Sequence, residues 1–183
     1  MRALTTKLLS FSANKLAPAC FLNMAILASI AQAAPQNGVV VGGSPVGTIT
    51  NSGLNTNIVQ HQNSMVIDWQ SFNVGAKESV NFQQPSTSAA ALNRIHDQNP
   101  SQVFGAINAN GRVFLANPNG IIFGKTATVN VGALFATGLS ISDEDFLQGN
   151  YRFTAEGYTP GAIINRGLLR AAAGGSISLV GGR

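Results

Sequence analysis

Apolar residues in this chain occur in short runs, many of them alternating with polar residues, and glycine, asparagine, serine and proline separate the runs. Such runs are typical of β-strands, whereas the three- and four-residue spacing of a helix is nearly absent. The pattern therefore predicts an all-β fold. The clearest predicted strands are Val39–Val41, Ile58–Gln60, Met65–Trp69, Val80–Phe82, Val113–Ala116, Ile121–Phe123, Val129–Val131 and Ser176–Val180.

One short segment departs from the β pattern. Ser142 precedes three consecutive acidic residues and then Phe146 and Leu147. A serine side chain can cap the first turn of a helix, and acidic residues are favourable at its positive end. We therefore expect one helical turn over residues 143–147.

Two kinds of internal similarity indicate a stacked coil. The tetrad Asn-x-Asn-Gly occurs at Asn108–Gly111 and again at Asn117–Gly120, and the predicted strand Arg112–Ala116 separates the two copies. Glycine and aliphatic residues at positions 161, 163, 167 and 169 recur in part at 175, 177 and 181. Short repeated strands with such corners are typical of β-solenoids, in which each coil covers its neighbours. An asparagine at a corner can adopt a positive φ and bond to the backbone or to an asparagine of the next coil.

The competing interpretation is a β-sandwich or barrel. Asn110-Gly111 and Asn119-Gly120 both suit a two-residue hairpin turn. The segments 161–170 and 175–182 lack the polar loops that hairpins need, and this favours the coil.

The first 33 residues have the pattern of an export signal. A basic stretch over 1–15 precedes an apolar run over 16–31 and the small-residue triplet from Ala31 to Ala33. We predict cleavage after Ala33, which leaves Ala34 as the first residue of a domain over 34–183. A transmembrane helix needs about 18 continuous apolar residues, and this run is shorter and contains Pro18 and Asn23.

Charge and chemistry exclude several classes of function. Three basic residues lie in the predicted signal, so most of the net charge of +4 belongs there and does not indicate nucleic-acid binding. The domain 34–183 contains no cysteine, and His61 and His96 are the only histidines. We therefore expect no metal site, cofactor or catalytic residues, and we assign the acids at 143–145 to the helix cap.

The most informative segment is 113–124, around the second tetrad. Pro118 restricts Asn117 to extended conformations, and Asn119-Gly120 suits a turn. Phe114 and Phe123 flank this turn. The pattern predicts a rigid turn between two buried strands.

At these residues the chain resembles the amino-terminal secretion domain of two-partner secretion exoproteins, the filamentous haemagglutinin and high-molecular-weight adhesin group. The resemblance runs from Asn63 to Gly182, and the Asn-Pro-Asn-Gly-Ile string at 117–121 is its most specific part. Many members carry Asn-Pro-Asn-Leu as their first motif, whereas residues 108–111 read Asn-Ala-Asn-Gly here.

The resemblance implies a right-handed parallel β-helix with additional capping strands at its amino end. It also implies export through the periplasm to the cell surface or medium, by the general export machinery and then an outer-membrane β-barrel transporter with periplasmic transport-associated domains. Host-cell receptors, contacted through a downstream passenger, are a further implied partner. The site implied for recognition by the transporter is Asn108, Asn110, Gly111, Asn117, Pro118, Asn119, Gly120 and Ile121.

Three functions remain open at this stage. The first is a secretion domain that is recognised by the transporter and nucleates folding of further coils. The second is an adhesin, haemagglutinin or haem-carrier-binding protein in its own right. The third is a β-solenoid enzyme that cleaves polysaccharide, but the sparse acidic residues argue against the acid cluster that it would require.

Overall fold

The computed structural model describes residues 34–41, 46–155 and 157–182, and they form fifteen strands and one short helix. The strands are β1 (Val39–Val41), β2 (Gly47–Ser52), β3 (Asn55–Gln60), β4 (Ser64–Trp69), β5 (Ser79–Gln83), β6 (Ala90–Ile95), β7 (Ser101–Val103), β8 (Ala106–Ala109), β9 (Arg112–Ala116), β10 (Ile121–Phe123), β11 (Thr128–Val131), β12 (Ala133–Thr137), β13 (Ile163–Asn165), β14 (Leu168–Ala171) and β15 (Ile177–Val180), and the helix is α1 (Asp143–Leu147). The predicted signal, with Ala31 and Ala33, lies outside the described residues. Within them, none of the helical structure has the length and apolar character needed to span a bilayer.

The strands form three sheets that run along a stack of coils. Sheet I has the order β1-β4-β6-β9-β12-β15, sheet II has the order β13-β10-β7, and sheet III has the order β14-β11-β8-β5-β3-β2. Successive strands enter sheets III, I and II in turn, so that β5, β6 and β7 make one coil and β8, β9 and β10 the next. Neighbouring coils pair in parallel and in register. The predicted all-β parallel β-helix is confirmed.

Two strands cap the amino end of the stack. β1 lies antiparallel beside β4, and β2 lies antiparallel beside β3. These are the additional capping strands that the resemblance implies. Ala34, the predicted first residue after cleavage, lies just before this cap, and its carbonyl accepts a 2.7 Å hydrogen bond from Gln36 Nε2.

The sandwich interpretation is wrong for the described residues, because the strands that flank the two tetrads do not pair with each other. β8 pairs with β5 and β11, β9 pairs with β6 and β12, and β10 pairs with β7 and β13. The tetrads therefore turn the chain from one sheet to the next sheet of the same coil, and they form no hairpin.

Inward-facing aliphatic residues stack from coil to coil to make the core. Val80, Ile107 and Val129 occupy one register position on sheet III and are fully buried. Each coil covers the apolar side chains of its neighbours, as the pattern of short aliphatic runs requires. The one buried tryptophan, Trp69, donates from Nε1 to Asn93 Oδ1 at 3.0 Å, so that its polar atom is satisfied within the core.

A second apolar cluster covers the outer face of sheet I. The segment 138–162, between β12 and β13, carries α1, and Phe146 of this helix is fully buried against Phe114 of β9. Their rings lie edge to face with centroids 5.1 Å apart. Ser142 Oγ caps α1 by accepting from Asp145 N, as predicted.

Candidate functional site

The tetrad Asn117–Gly120 forms the corner between β9 and β10, where the chain passes from sheet I to sheet II. Gly120 N donates to Asn117 O at 2.9 Å and closes the turn. Gly120 has a φ of 99°, a backbone conformation that glycine tolerates best. Its neighbour Ile121 begins β10 and is fully buried in the core. The expected rigid turn between two buried strands is present.

Asn117 lies entirely inside this corner. Its side-chain Nδ2 donates to Asn99 O at 3.1 Å and to Ser101 Oγ at 3.0 Å, and its Oδ1 accepts from Asn119 N at 2.9 Å. The residue has 0% exposure. Asn117 is therefore a structural link between its own coil and the corner of the preceding coil.

Pro118 and Asn119 are the parts of the corner that solvent reaches. Asn119 is exposed, and its Nδ2 donates to Asp97 O at 2.7 Å. Pro118 is half-buried, and its carbonyl accepts from Gly161 N at 2.7 Å. The two asparagines together hold the backbone of the preceding corner, over residues 97–99, against this turn.

The tetrad Asn108–Gly111 has the same residue pattern but a different structure. Asn108 and Ala109 end β8, and Asn110 and Gly111 form the corner before β9, where the chain passes from sheet III to sheet I. Asn110 accepts from Gln84 N through Oδ1 and donates to Gln84 O through Nδ2, both at 2.8 Å. Gly111 N donates to Gln84 Oε1 at 2.9 Å.

Gly111 is required for close packing and not for a positive φ. A Cβ atom at this position would lie 2.7 Å from Ala89 O and from Gln84 Oε1. Gln84 is itself buried and donates to Gln60 Oε1 of the coil before it at 2.9 Å. Sequence reasoning missed these two glutamines. The signal that could have found them is a glutamine at or just after the end of two predicted apolar strands, Ile58–Gln60 and Val80–Phe82.

Asn108 takes part in a ladder of amides on the outer face of sheet III. Asn108 Nδ2 donates to Asn81 Oδ1 at 2.9 Å, and Asn81 Nδ2 donates to Asn57 Oδ1 at 3.2 Å. The register of the sheet aligns the three residues on successive coils. The expected bond between asparagines of adjacent coils is thus formed on a strand and not at a corner.

A polar groove of about 600 Å³ lies beside the Asn117–Gly120 corner. The loop 96–99 forms one wall, and Gln36, Asn37, Gln70 and Ser71 form the rest. Since Asn117 and Asn119 bond to the carbonyls of Asn99 and Asp97, the turn fixes this wall in place.

An ionic cluster on sheet I joins the coils to α1. Arg94 binds Asp68 through two hydrogen bonds of 2.7 and 3.0 Å and also binds Asp143. Burial raises the pKa of Asp68, but hydrogen bonding and charge from Arg94 and His96 outweigh burial and lower the pKa below its ordinary 3.8. The hydrogen bonds that Arg94 donates to Asp68 raise the pKa of Arg94. Among the described residues no three histidine, cysteine or acidic side chains are grouped to hold a metal ion.

Comparison with known proteins identifies a family that the chain matches over most of its length. A family model described as the TPS secretion domain matches residues 31–183. The crystal structure of the HMW1 secretion domain from Haemophilus influenzae superposes with a TM-score of 0.74, at 34% identity over 81% of this chain and 39% of that chain.

Two curated relatives share about half of the chain. A heme/hemopexin-binding protein of Haemophilus influenzae strain Rd is 46% identical over 99 residues, which is 54% of this chain and 11% of the relative. A second heme/hemopexin-binding protein of Haemophilus influenzae is 42% identical over 97 residues, which is 53% of this chain and 10% of the relative. The chain thus matches about a tenth of the length of these relatives.

Proposed function

The chain belongs to the TPS secretion domain family, and from this premise we propose that the folded domain presents the Asn117–Gly120 corner to its transporter. The domain is the secretion domain of an exoprotein, which passes through the periplasm and is recognised by a cognate outer-membrane transporter. We further propose that the transporter is a β-barrel with periplasmic transport-associated domains, and that the segment 1–33 is removed on export.

The burial of Asn117 carries this proposal. A partner cannot touch a side chain with 0% exposure whose amide is fully bonded within the domain. Asn119 and Pro118, in contrast, face solvent beside the groove wall at 96–99. We therefore assign Asn117 to the fold, and Asn119 and Pro118 to the contact with the transporter.

Coexpression of the full chain with its partner transporter tests this assignment. Asn119→Ala removes one exposed hydrogen bond, so we expect clearly reduced release into the medium and a thermal midpoint within about 2 °C of the parent. Asn117→Ala leaves buried partners unpaired at a cost of about 1–3 kcal/mol, so we expect it to lower both release and thermal midpoint.

Two controls separate recognition from stability. Leu134→Ala creates a cavity in the core, costs about 2–5 kcal/mol and leaves the corner intact. Asn130→Ala changes an exposed asparagine on sheet III. If release falls in Leu134→Ala and Asn117→Ala but not in Asn119→Ala, stability alone governs export. The proposal fails if Asn119→Ala leaves release unchanged, or if release needs no partner.

A second experiment tests whether the transporter recognises the folded corner. Binding of the purified chain to the transporter's periplasmic domains is measured before and after unfolding in urea and rapid dilution. Binding only during refolding would indicate that an extended segment adds to a sheet edge of the partner. If the native chain binds and Asn119→Ala weakens that binding, the result supports recognition of the folded corner.

A second candidate function comes from the names of the two curated relatives. Both are heme/hemopexin-binding proteins, which favours binding of a haem carrier as the activity of this exoprotein. Titration of hemopexin, with and without haem, against the purified chain tests whether residues 1–183 carry that activity. Absence of saturable binding would remove this candidate for the present chain.

A further inference from the structure

Three asparagines in this chain are followed directly by glycine: Asn37, Asn110 and Asn119. At such a pair the backbone nitrogen of glycine can attack the side-chain carbonyl carbon of asparagine, because glycine has no side chain to hinder the approach. A carbon–nitrogen bond forms, ammonia leaves, and a five-membered succinimide results. Water then opens the ring to aspartate or isoaspartate. We propose that these pairs are covalent modification sites and that the fold makes them react at different rates.

The fold shields Asn110 and Asn119 by engaging the attacking nitrogen. Gly111 N donates to the buried Gln84 Oε1 at 2.9 Å, and Gly120 N donates to Asn117 O at 2.9 Å. Both asparagine side chains are also held by hydrogen bonds to the preceding coil. The reaction therefore requires the corner to open locally before the nitrogen can reach the amide.

Asn37 is held less firmly. It is the exposed residue of the segment that precedes β1, and its side chain donates to a single partner, the flexible side chain of Gln70. In the described turns and loops, Gly38 N donates to no carbonyl oxygen. Asn37-Gly38 is thus the pair that reacts in the folded chain.

The consequences of modification differ between Asn110 and Asn37. Deamidation of Asn110 replaces the Nδ2 donor with a carboxylate oxygen that faces Gln84 O, and a backbone carbonyl cannot become a donor. At Asn37 the facing group is the side-chain amide of Gln70, which can turn and offer its NH₂ group to the new carboxylate. Conversion to aspartate therefore disrupts the corner at 110 and is tolerated at 37.

Peptide mass spectrometry of the purified chain, incubated at neutral pH with and without urea, tests this order of reaction rates. In the native chain we expect Asn37 to react at least about tenfold faster than Asn110 and Asn119, which corresponds to an opening free energy of about 1.4 kcal/mol. In urea the three rates should converge. Asn108 and Asn130, which precede alanine and valine, are the matched slow controls. Equal native rates at all three pairs, or persistent protection of Asn110 in urea, would overturn the proposal.

Refolding of urea-aged chain tests the consequence. We expect modification at Asn37 to be retained in the refolded fraction, and modification at Asn110 to accumulate in the fraction that fails to refold. Asn110→Asp should have a lower thermal midpoint than Asn110→Ala, which loses both bonds to the Gln84 backbone but places no charge against Gln84 O, whereas Asn37→Asp should stay within about 2 °C of the parent. If Asn110→Asp is as stable as Asn110→Ala, or if chains modified at 110 refold normally, the proposal is wrong.

Discussion

Gly120 combines a positive φ with a close backbone neighbour, and this makes Gly120→Ala the most direct test of the corner. Its φ is 99°, and an added Cβ would lie 2.4 Å from Ala162 O. The strained φ alone costs about 1–3 kcal/mol, so we expect a thermal midpoint lowered by about 3–10 °C, with the clash adding to this.

Gly53→Ala is the matched control for Gly120→Ala. Gly53 also has a positive φ, 58°, but an added Cβ there would meet nothing within 4 Å. Urea unfolding of both variants separates the strain from the clash. An equal loss of stability in the two would mean that the contact with Ala162 is readily relieved.

The two tetrads show how far residue-level prediction reaches. The Pro118–Gly120 sequence predicts a turn with a positive φ, because proline and glycine restrict the backbone locally, and the structure has both features. Gly111 stands in the same tetrad pattern without a positive φ. Its conformation depends on Gln84 of the preceding coil, and no local pattern around Gly111 contains that contact.

Asp68 predicts a pH dependence of stability. Its pKa is lowered in the folded chain, so its contribution is present above the ordinary value of 3.8 and is lost as the pH falls below that value through the folded-state pKa. We expect the difference in thermal midpoint between the parent and Asp68→Asn to shrink as the pH falls through this window. In an Arg94→Met background the pH dependence of that difference should shrink or reverse, because burial, which raises the pKa of Asp68, is then opposed by His96 alone. A constant difference across the window would contradict this assignment.

At the scale of elements, α1 is attached to sheet I by a buried aromatic ring as well as by the contact between Arg94 and Asp143. Phe146 is fully buried, and its ring lies 5.1 Å from Phe114 and 5.2 Å from Tyr151. Truncation of a buried phenylalanine costs about 3–5 kcal/mol. In Phe146→Ala we therefore expect amide exchange over 140–154 to rise more than exchange in β9 and β12.

The matched control for Phe146→Ala is Leu147→Ala, which changes the neighbouring, partly exposed residue of the same helix. We expect a smaller effect there. If Phe146→Ala raises exchange equally in the segment and in the coils, the segment does not unfold separately from them.

Success at predicting strands depended on how each strand is buried. β10 coincides with its prediction, because its short apolar run is bounded by Gly120 and Gly124. β6 was missed although Ala90–Asn93 are all buried, since its outer face lies under the segment that carries α1 and no alternation of apolar and polar residues remains. The helix α1 was found because its signal, a serine followed by acids, is local.

At the scale of the whole molecule, a stacked coil was predictable from the repeated glycine, asparagine and aliphatic positions. The number of residues in one coil was not. The nine-residue separation of the tetrads suggested a regular repeat, but it spans one strand within a coil. The true repeat brings Val80, Ile107 and Val129 together, and their unequal spacing hides it from a search for a fixed period. The resemblance to a known family supplied what periodicity did not, namely the capping strands.

The last coil that the structure describes has open strand edges and exposed apolar side chains. β13, β14 and β15 each pair with one strand only among the described residues, and Leu168, Ile177 and Leu179 are 46%, 40% and 39% exposed. An exposed strand edge with apolar side chains is prone to pair with another chain. We therefore expect the purified chain to associate as its concentration rises, and we expect amides of β15 to exchange at least about tenfold faster than those of β12 at low concentration. Leu179→Lys should suppress the association because it places a charge on the open edge, and it should also lower the thermal midpoint, because Leu179 is in register with the buried Ala136 of β12. A chain that stays monomeric at high concentration, with strong protection at Ile177–Val180, would show that this coil is closed by contacts other than those between its strands.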